Sequence, residues 1–298
     1  MRVLLTLCCC LVGPRPSRGE TLQVIGAGLP RTGTQTLALA LNTLGYRVLH
    51  SEGFDLKERG VYVGSRDLYM QIVRVCGQIW KGRVGFEALD PVLVRMSELG
   101  INATTDVPWS FFVDDLMQRF PDAKIILTVR DAEQWYESYY KVHRLISIFP
   151  EKIHPGITYK KRGNRLLEGC DHIEAWPPRP PTLEDRGRCI ASFERHNSEI
   201  RASVPAGSLL VYDVGQGWGP LCAFLKRELP SAPFPRRDDV GADVSLLLPA
   251  GCGRPTVAST AALYALQLGP ALCCCFCCFH WRRRRRALRG DADAKKVA

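Results

Sequence analysis

The sequence predicts an α/β protein with three layers, in which a central parallel sheet lies between two layers of helices. Short apolar segments alternate along the chain with segments whose apolar residues recur at helical spacing, a pattern typical of parallel sheets covered on both faces. A glycine-rich turn separates the first predicted strand from the first predicted helix. An apolar, cysteine-rich segment near the C-terminus predicts an additional transmembrane helix.

The predicted elements follow one another in βα order. The predicted strands are 22–28, 46–50, 124–129 and 208–212, and the predicted helices are 34–44, 110–120, 132–140, 182–203 and 219–228. Residues 145–181 are rich in Gly, Pro and charge and predict a long insertion. The expected domains are an N-terminal extension or weak signal peptide (1–20), the α/β domain (21–237), a linker (238–255), the apolar segment (256–281) and a basic tail (282–298).

The excess positive charge lies at the two ends of the chain. The net charge is +10, of which residues 1–20 carry +2 and residues 282–298 carry +6, which leaves +2 for the other 261 residues. We therefore expect no nucleic-acid partner, since the central part of a nucleic-acid-binding protein would itself carry a basic surface. Eight of the 13 cysteines also lie near the ends, in 8–10 and 273–278, which excludes a small disulfide scaffold. The cysteines near the ends are not accompanied by the further Cys or His pair that a zinc site needs, so no metal is expected.

Both ends resemble targeting or membrane segments. Residues 1–13 show one arginine and then an apolar run, the pattern of a signal peptide, but no small-x-small cleavage site follows; the alternative is an extension without a targeting role. Residues 255–281 contain no Asp, Glu, Lys or Arg and precede five arginines, which favours a membrane span with a cytoplasmic C-terminus and a lumenal, Golgi-facing body. The alternatives are a cytosolic body anchored by a lipidated cysteine-rich tail, and a disordered tail.

The glycine-rich turn reads GAGLPRTGTQT over residues 26–36. A turn between a strand and a helix directs backbone N–H groups and the positive helix end at one point, which makes an anion site. Gly28 and Gly33 have the G-x4-G spacing of a nucleotide P-loop, but residues 34–35 are Thr-Gln instead of Lys-Ser/Thr, and the cation is Arg31. A dinucleotide fingerprint would need glycine at position 31.

Several segments together resemble the sulfotransferase superfamily, and most closely a eukaryotic branch of sulfotransferase-like P-loop proteins with a G-L-P-R-T-G-T loop. They are GLPRTGTQT at 28–36, TTDVPWSFF at 104–112, LTVRDAEQWYES at 127–138 and QGWGPLCAFL at 216–225. The resemblance covers about residues 22–237. It implies a P-loop-type fold and transfer of a sulfuryl group from 3′-phosphoadenosine 5′-phosphosulfate (PAPS) to a hydroxyl.

The resemblance implies two groups of PAPS-binding residues. The family's first loop binds the 5′-phosphosulfate, and the matching residues are Arg31, Thr32, Gly33, Thr34, Gln35 and Thr36. The family's 3′-phosphate site is matched by Arg130 and Ser138; the alternative for Arg130 is an ion pair with Asp131 or a neighbouring acid. Cytosolic relatives carry lysine where this chain has Arg31, and because a guanidinium stays charged we expect Arg31 to stabilise charge rather than donate a proton.

Three residues are candidates for the catalytic base. Many sulfotransferases place a His in a T-H-L-P-like loop, where this chain has Asp106 in the segment 105–108. Asp106 either accepts the proton of the acceptor hydroxyl or only caps the helix that begins near Pro108. His50 and Glu52, at the end of the second predicted strand, are alternative bases at the carboxyl edge of the sheet.

The sequence thus predicts a PAPS-dependent sulfotransferase that needs no metal and acts on an unidentified hydroxyl acceptor. The alternatives are a catalytically silent nucleotide-binding protein at a membrane, since the usual Lys and His are both replaced, and a nicotinamide-dependent oxidoreductase, suggested only by Gly26-x-Gly28. Residues 141–181 are expected to help form the acceptor pocket. The sequon 102–104 lies four residues before Asp106, so a glycan on Asn102 would be expected to crowd the acceptor entrance.

Overall fold

The computed structural model describes residues 22–51, 66–147, 167–174 and 179–236. The predicted extension 1–20, linker 238–255, apolar segment 256–281 and basic tail 282–298 lie outside these residues, as does most of the predicted insertion. No helix of the described part of the chain is long and apolar enough to cross a membrane.

A parallel sheet of five strands forms the centre of the described structure. The strands are β1 (Val24–Gly26), β2 (Val48–His50), β3 (Ala103–Thr105), β4 (Lys124–Thr128) and β5 (Leu209–Tyr212). Their order is β2-β3-β1-β4-β5, and all four pairings are parallel. The strand order therefore reverses beside β1, and open parallel sheets bind ligands at the carboxyl edge next to such a reversal.

Seven α-helices are present among the described residues. They are α1 (Thr34–Thr43), α2 (Arg66–Ile79), α3 (Asp90–Glu98), α4 (Val113–Arg119), α5 (Ala132–Ser147), α6 (Leu183–Ser203) and α7 (Trp218–Leu225). The predicted α/β class with a parallel sheet is confirmed. Strand β3 and helices α2 and α3 were not predicted from the sequence.

Three predicted helices have clearly different bounds in the structure. The helix predicted over 219–228 is α7, which ends at Leu225. The predicted helix over 110–120 is a 3₁₀ turn (Trp109–Phe111) followed by α4. Helix α5 continues to Ser147, beyond the predicted end at residue 140, because Trp135, Tyr139 and Val142 are all buried and lie on one helical face. The predicted insertion over 145–181 was therefore placed too early, since its first residues belong to α5.

Helix α1 packs on the sheet and completes part of the core. Leu37 and Leu41 of α1 are fully buried in one cluster with Val24 of β1 and Ile126 of β4. Burying a leucine side chain stabilises a fold by roughly 1.5–3 kcal/mol. The helix ends before Gly45, which takes a left-handed φ of 87° and lets the chain turn into β2. This packing fixes the N-terminus of α1 at the carboxyl edge of β1.

The described chain divides into two compact units. The first comprises the residues up to Asp131 together with those from Phe193 onward, and contains the sheet. The second comprises residues 132–192, within which Cys170 and Cys189 form a disulfide. The Tyr136 hydroxyl lies 2.9 Å from His172 Nε2 in this second unit. The disulfide was not predicted, since the composition argued only against a small disulfide scaffold.

The segment after α7 folds back onto the first unit. The Trp218 indole Nε1–H donates to the Ala232 carbonyl at 2.9 Å. The Phe234 ring meets the Trp218 ring edge-on with centroids 4.8 Å apart, and it also contacts Tyr212 of β5. Residues 229–236 therefore complete the packing around the end of β5.

Candidate active site

The loop between β1 and α1 lies tightly against two other segments. A Cβ atom on Gly28 would lie 1.8 Å from Thr128 Oγ1 at the end of β4. Gly33 has a left-handed φ of 95°, and a Cβ there would lie 2.7 Å from Val214 Cγ2. Both positions therefore require glycine, one for the close approach and one also for its backbone conformation. Gly26 is the last residue of β1, and Arg31 stands where a dinucleotide fingerprint would need its third glycine.

The hydroxyl groups of this loop are directed at the protein. Thr32 is 2% exposed, and its Oγ1 donates to the Leu29 carbonyl at 2.7 Å and lies 2.5 Å from Thr128 Oγ1. Thr34 Oγ1 donates to Asp106 Oδ2 at 3.1 Å. A hydroxyl has only one proton to donate, so in this arrangement neither hydroxyl can donate to a ligand. The Thr32 backbone N–H also donates to the Leu29 carbonyl, at 3.3 Å, so only Thr34 could contribute a backbone N–H to anion binding.

The N-terminus of α1 has the properties of an anion site. No side chain caps it, and its first turn contains no acidic residue. The N–H groups of a first helical turn have no intrahelical partner and carry partial positive charge. The first turn contains three of the predicted PAPS-binding residues, namely Thr34, Gln35 and Thr36.

Two of the predicted phosphate-binding arginines are adjacent. Arg130, two residues after β4, donates from Nη1 to the Arg31 carbonyl at 3.4 Å. Arg31 has a left-handed φ of 73° within the loop. The predicted partner of Arg130, Ser138, lies on α5 in the second unit. The first unit thus places the Arg130 guanidinium against the backbone of Arg31, at the carboxyl edge beside β1.

His50 and Asp106, weighed as alternative bases, form a pair. The parallel register of β2 and β3 places His50 opposite Thr105, the residue before Asp106. His50 Nε2 lies 3.4 Å from Asp106 Oδ2, and His50 Nδ1 lies 2.9 Å from Thr105 Oγ1. With Asp106 ionised, the consistent assignment puts the imidazole proton on Nε2, with Thr105 donating to Nδ1. Both ring nitrogens are then engaged, so the exposed acceptor of the pair is the carboxylate.

The Asp106 carboxylate is held in place at the edge of the sheet. Asp106 has a left-handed φ of 74°, and its Oδ1 accepts the Val107 backbone N–H at 2.7 Å. The 3₁₀ turn that follows begins after Pro108 and has no side-chain cap, so Asp106 does not cap that turn. The side chain of Asp106 is 16% exposed and that of His50 is 6% exposed. Glu52, the third candidate base, lies outside the described residues.

The sequon lies at the other end of the strand from the site. Asn102 precedes β3, and its side-chain Oδ1 accepts the Arg47 backbone N–H at 2.8 Å. Asp106 follows β3 at the carboxyl edge, about 13 Å away at ~3.3 Å per strand residue. The expectation that a glycan on Asn102 would crowd the acceptor entrance is therefore wrong.

Sequence reasoning missed one histidine that touches the loop. His196 Nε2–H of α6 donates to the Ala27 carbonyl at 2.8 Å, and its ring meets Phe111 edge-on. Burial lowers the pKa of His196, so the neutral form is favoured. Nothing in the sequence around residue 196 marks it, because the contact joins residues 169 positions apart. Among the described residues, no group of three or more His, Cys, Asp or Glu is arranged to hold a metal ion.

Comparisons with known proteins show which family this chain belongs to. A family model described as a sulfotransferase domain matches residues 23–242, which is most of the chain. Ava biosynthesis cluster protein M of Aspergillus versicolor is 27% identical over 231 residues, which cover 72% of this chain and 80% of that protein. The matched region contains the loop after β1, the His50–Asp106 pair and Arg130. This chain therefore belongs to the sulfotransferase domain family.

Proposed function

We propose that this protein transfers a sulfuryl group from PAPS to an acceptor hydroxyl, with Asp106 as the general base. The observation that carries the proposal is the 3.1 Å hydrogen bond from Thr34, the first residue of α1, to the Asp106 carboxylate. It joins a proton acceptor directly to the anion-binding end of a helix. Family membership supports sulfuryl transfer, and the site supplies the two groups that such a transfer needs.

The residues of the loop fit an anionic donor such as PAPS. The first turn of α1 is free of acidic residues and its N-terminus has no side-chain cap. Arg31 and Arg130 lie next to each other at the same edge. Permanently charged guanidinium groups and oriented N–H groups stabilise negative charge on a transferring group and its leaving group. Arg31, Gly33 and Gln35 would hold the phosphosulfate, and Arg130 would contribute to holding the 3′-phosphate.

The proton of the acceptor has one available destination on Asp106. Asp106 Oδ2 accepts the Thr34 hydroxyl and faces His50 Nε2, whereas Oδ1 accepts only the Val107 N–H among the described contacts. A carboxylate oxygen accepts two hydrogen bonds, so Oδ1 retains a place for the acceptor hydroxyl. In the step proposed, the acceptor oxygen bonds to sulfur while the bond from sulfur to the phosphate oxygen breaks. Asp106 takes the acceptor's proton, and the arginines stabilise the departing phosphate.

Turnover with PAPS tests this proposal. The full chain is incubated with PAPS and with panels of sugars, sterols, phenols and peptides, and sulfated products are detected by mass spectrometry. Binding of 3′-phosphoadenosine 5′-phosphate (PAP) is measured in parallel by titration calorimetry. PAP binding together with a sulfated product supports the proposal. PAP binding without turnover across the panels favours the silent nucleotide-binding alternative, and the absence of PAP binding contradicts both.

We further propose that the enzyme is membrane-attached, with its body in an oxidising lumen such as the Golgi. The Cys170–Cys189 disulfide supports this location, because disulfides form in the secretory pathway and are rare in the cytosol. The five arginines of 282–286 after the apolar segment favour a cytoplasmic C-terminus. Protease treatment of sealed microsomes, with tags in the body and after Ala298, tests the orientation. A digested body would contradict the proposal and favour a cytosolic enzyme with a lipidated tail.

A further inference from the structure

We propose that Thr32 and Thr128 are positioning residues, which together hold the donor loop at a fixed place against the end of β4. The inference rests on the function proposed above, since it concerns how the same loop is held ready for PAPS. The resemblance implies that Thr32 is a donor-binding residue. The geometry gives its side chain a different task.

The direction of each hydrogen bond follows from counting protons. Thr32 Oγ1 donates its only proton to the Leu29 carbonyl at 2.7 Å. At the 2.5 Å contact between the two hydroxyls, Thr128 must therefore be the donor. A directed chain runs from Thr128 to Thr32 to Leu29, and it leaves no hydroxyl proton for a phosphosulfate oxygen. Thr32 is 2% and Thr128 0% exposed, so water cannot readily replace either partner.

We call the hydrogen-bonded pair Thr32–Thr128 the clasp. The backbone at Gly28 leaves room for it. Gly28 approaches so closely that a Cβ would lie 1.8 Å from Thr128 Oγ1. The Thr128 hydroxyl thus fills the space that a side chain at position 28 would need. The clasp therefore depends on Gly28, because the loop passes directly against the Thr128 side chain at the end of β4.

The clasp joins the two segments that carry Arg31 and Arg130. Thr32 directly follows Arg31, and Thr128 precedes Arg130 by two residues. Arg130 also donates to the Arg31 carbonyl, a second bond between the same two segments. Fixing the loop to β4 therefore fixes the distance between the phosphosulfate end and the 3′-phosphate end of the proposed donor site. Binding the donor to such a preorganised site avoids the cost of ordering the loop.

The matched variants separate positioning from loss of bulk. Thr32→Val and Thr128→Val each keep the side-chain shape and remove one hydroxyl, whereas Thr32→Ser keeps the hydroxyl. Thr43→Val is the control, because Thr43 lies on the same helix α1 and its hydroxyl makes an exposed bond to the Leu39 carbonyl at 3.0 Å. Should Thr32→Val fail to fold, Thr128→Val removes the same bond from the other side.

PAP affinity measured by calorimetry and amide hydrogen exchange of residues 29–36 in the free protein test the clasp. We expect each valine variant to weaken PAP binding roughly tenfold and to speed loop exchange, since a buried hydrogen bond is lost. Thr32→Ser and Thr43→Val should stay near wild type. The double valine variant should be little worse than Thr32→Val, which alone removes both bonds of the chain. Wild-type affinity in Thr32→Val, or fully additive losses, would overturn the inference.

If the wild-type chain binds no PAP, the proposed function fails, and the exchange rates alone decide the clasp. Unchanged loop exchange in Thr32→Val then overturns the inference.

Discussion

Two buried histidines, one in each unit, make similar contacts with different consequences. His50 faces the Asp106 carboxylate with Nε2 at 3.4 Å. His172 receives the Tyr136 hydroxyl at Nε2 (2.9 Å), while its Nδ1–H donates to the Gly169 carbonyl at 3.2 Å. In both cases each ring nitrogen has a partner, so neither imidazole can itself take a proton from a ligand without giving up a bond.

The difference lies in the group beyond the histidine. Asp106 is partly exposed at the carboxyl edge of the sheet, where it can meet an acceptor. Tyr136 is 1% exposed, and burial raises its pKa to about 12, so its hydroxyl stays protonated. The Arg186 guanidinium lies over the Tyr136 ring and pairs with Glu133 and Glu137. The group that contacts the histidine is therefore accessible to a ligand in the first unit and buried in the second.

Asp106→Asn should give the largest effect on activity. Asparagine keeps the shape and can still accept a hydrogen bond, but it cannot take the acceptor's proton. We expect kcat to fall by roughly 10²–10⁴-fold with PAP affinity little changed, as measured by steady-state kinetics and calorimetry. Near-normal kcat would remove Asp106 as the base and shift attention to Glu52.

His50→Gln should have a smaller effect of the same kind. Glutamine can still donate toward Asp106, but it does not reproduce the simultaneous contact with Thr105. Weakening a contact to a charged group costs about 1.5–3 kcal/mol at most, so a fall in kcat of about tenfold is expected, with the KM for PAPS nearly constant. A loss as large as that of Asp106→Asn would mean that His50 takes part directly in proton transfer.

Tyr136→Phe should change stability and leave the chemistry intact. The variant leaves His172 Nε2 without its donor in a buried site, which costs about 1–3 kcal/mol. Urea unfolding monitors that loss, and kcat serves as the internal control. If kcat falls while stability is unchanged, the second unit contributes to catalysis through Tyr136 and the proposed contrast between the histidines is broken.

The smallest expected effect is a pH dependence of stability. Burial lowers the pKa of His172, against the opposing influence of Asp185 and Asp171. Because the unfolded chain then binds a proton more readily, this histidine's contribution to stability is present above about pH 6.5 and is lost as the pH falls through its folded pKa. His172→Gln should flatten part of this decline in the free energy of unfolding. An unchanged pH profile would assign the decline to other groups, such as His196, whose pKa burial also lowers.

Four strands could be predicted because each carries an apolar, partly β-branched run. Strand β3 could not, since its sequence is Ala-Thr-Thr and its burial comes from lying between β1 and β2. Helix α2 did carry a signal, because Leu68, Ile72 and Cys76 recur at a spacing of four and are all fully buried. An element can thus be predicted from local sequence when its own buried residues are apolar. It cannot when its burial follows from its position between neighbouring strands.

The candidate site was predictable in its residue types and not in its pairings. His50 was singled out from its position at the end of a predicted strand, and Asp106 from its match to the T-H-L-P-like loop of the sulfotransferases. Their contact depends on the register of β2 against β3, which places His50 opposite Thr105 across 55 positions of sequence. The bond between Thr32 and Thr128 spans 96 positions in the same way. Register is set by packing of the whole sheet, so a single sequence read locally does not contain it.

The return of residues 229–236 onto the first unit decides where the domain can be separated from its C-terminal region. A chain cut at the end of α7 would lose the Ala232 carbonyl that receives the Trp218 indole N–H. It would also lose the Phe234 ring, which covers the Trp218 and Tyr212 rings. Both aromatic faces would then be open to water and prone to self-association. A fragment that keeps these contacts, for expression without the apolar and basic C-terminal segments, therefore ends at residue 234 or later.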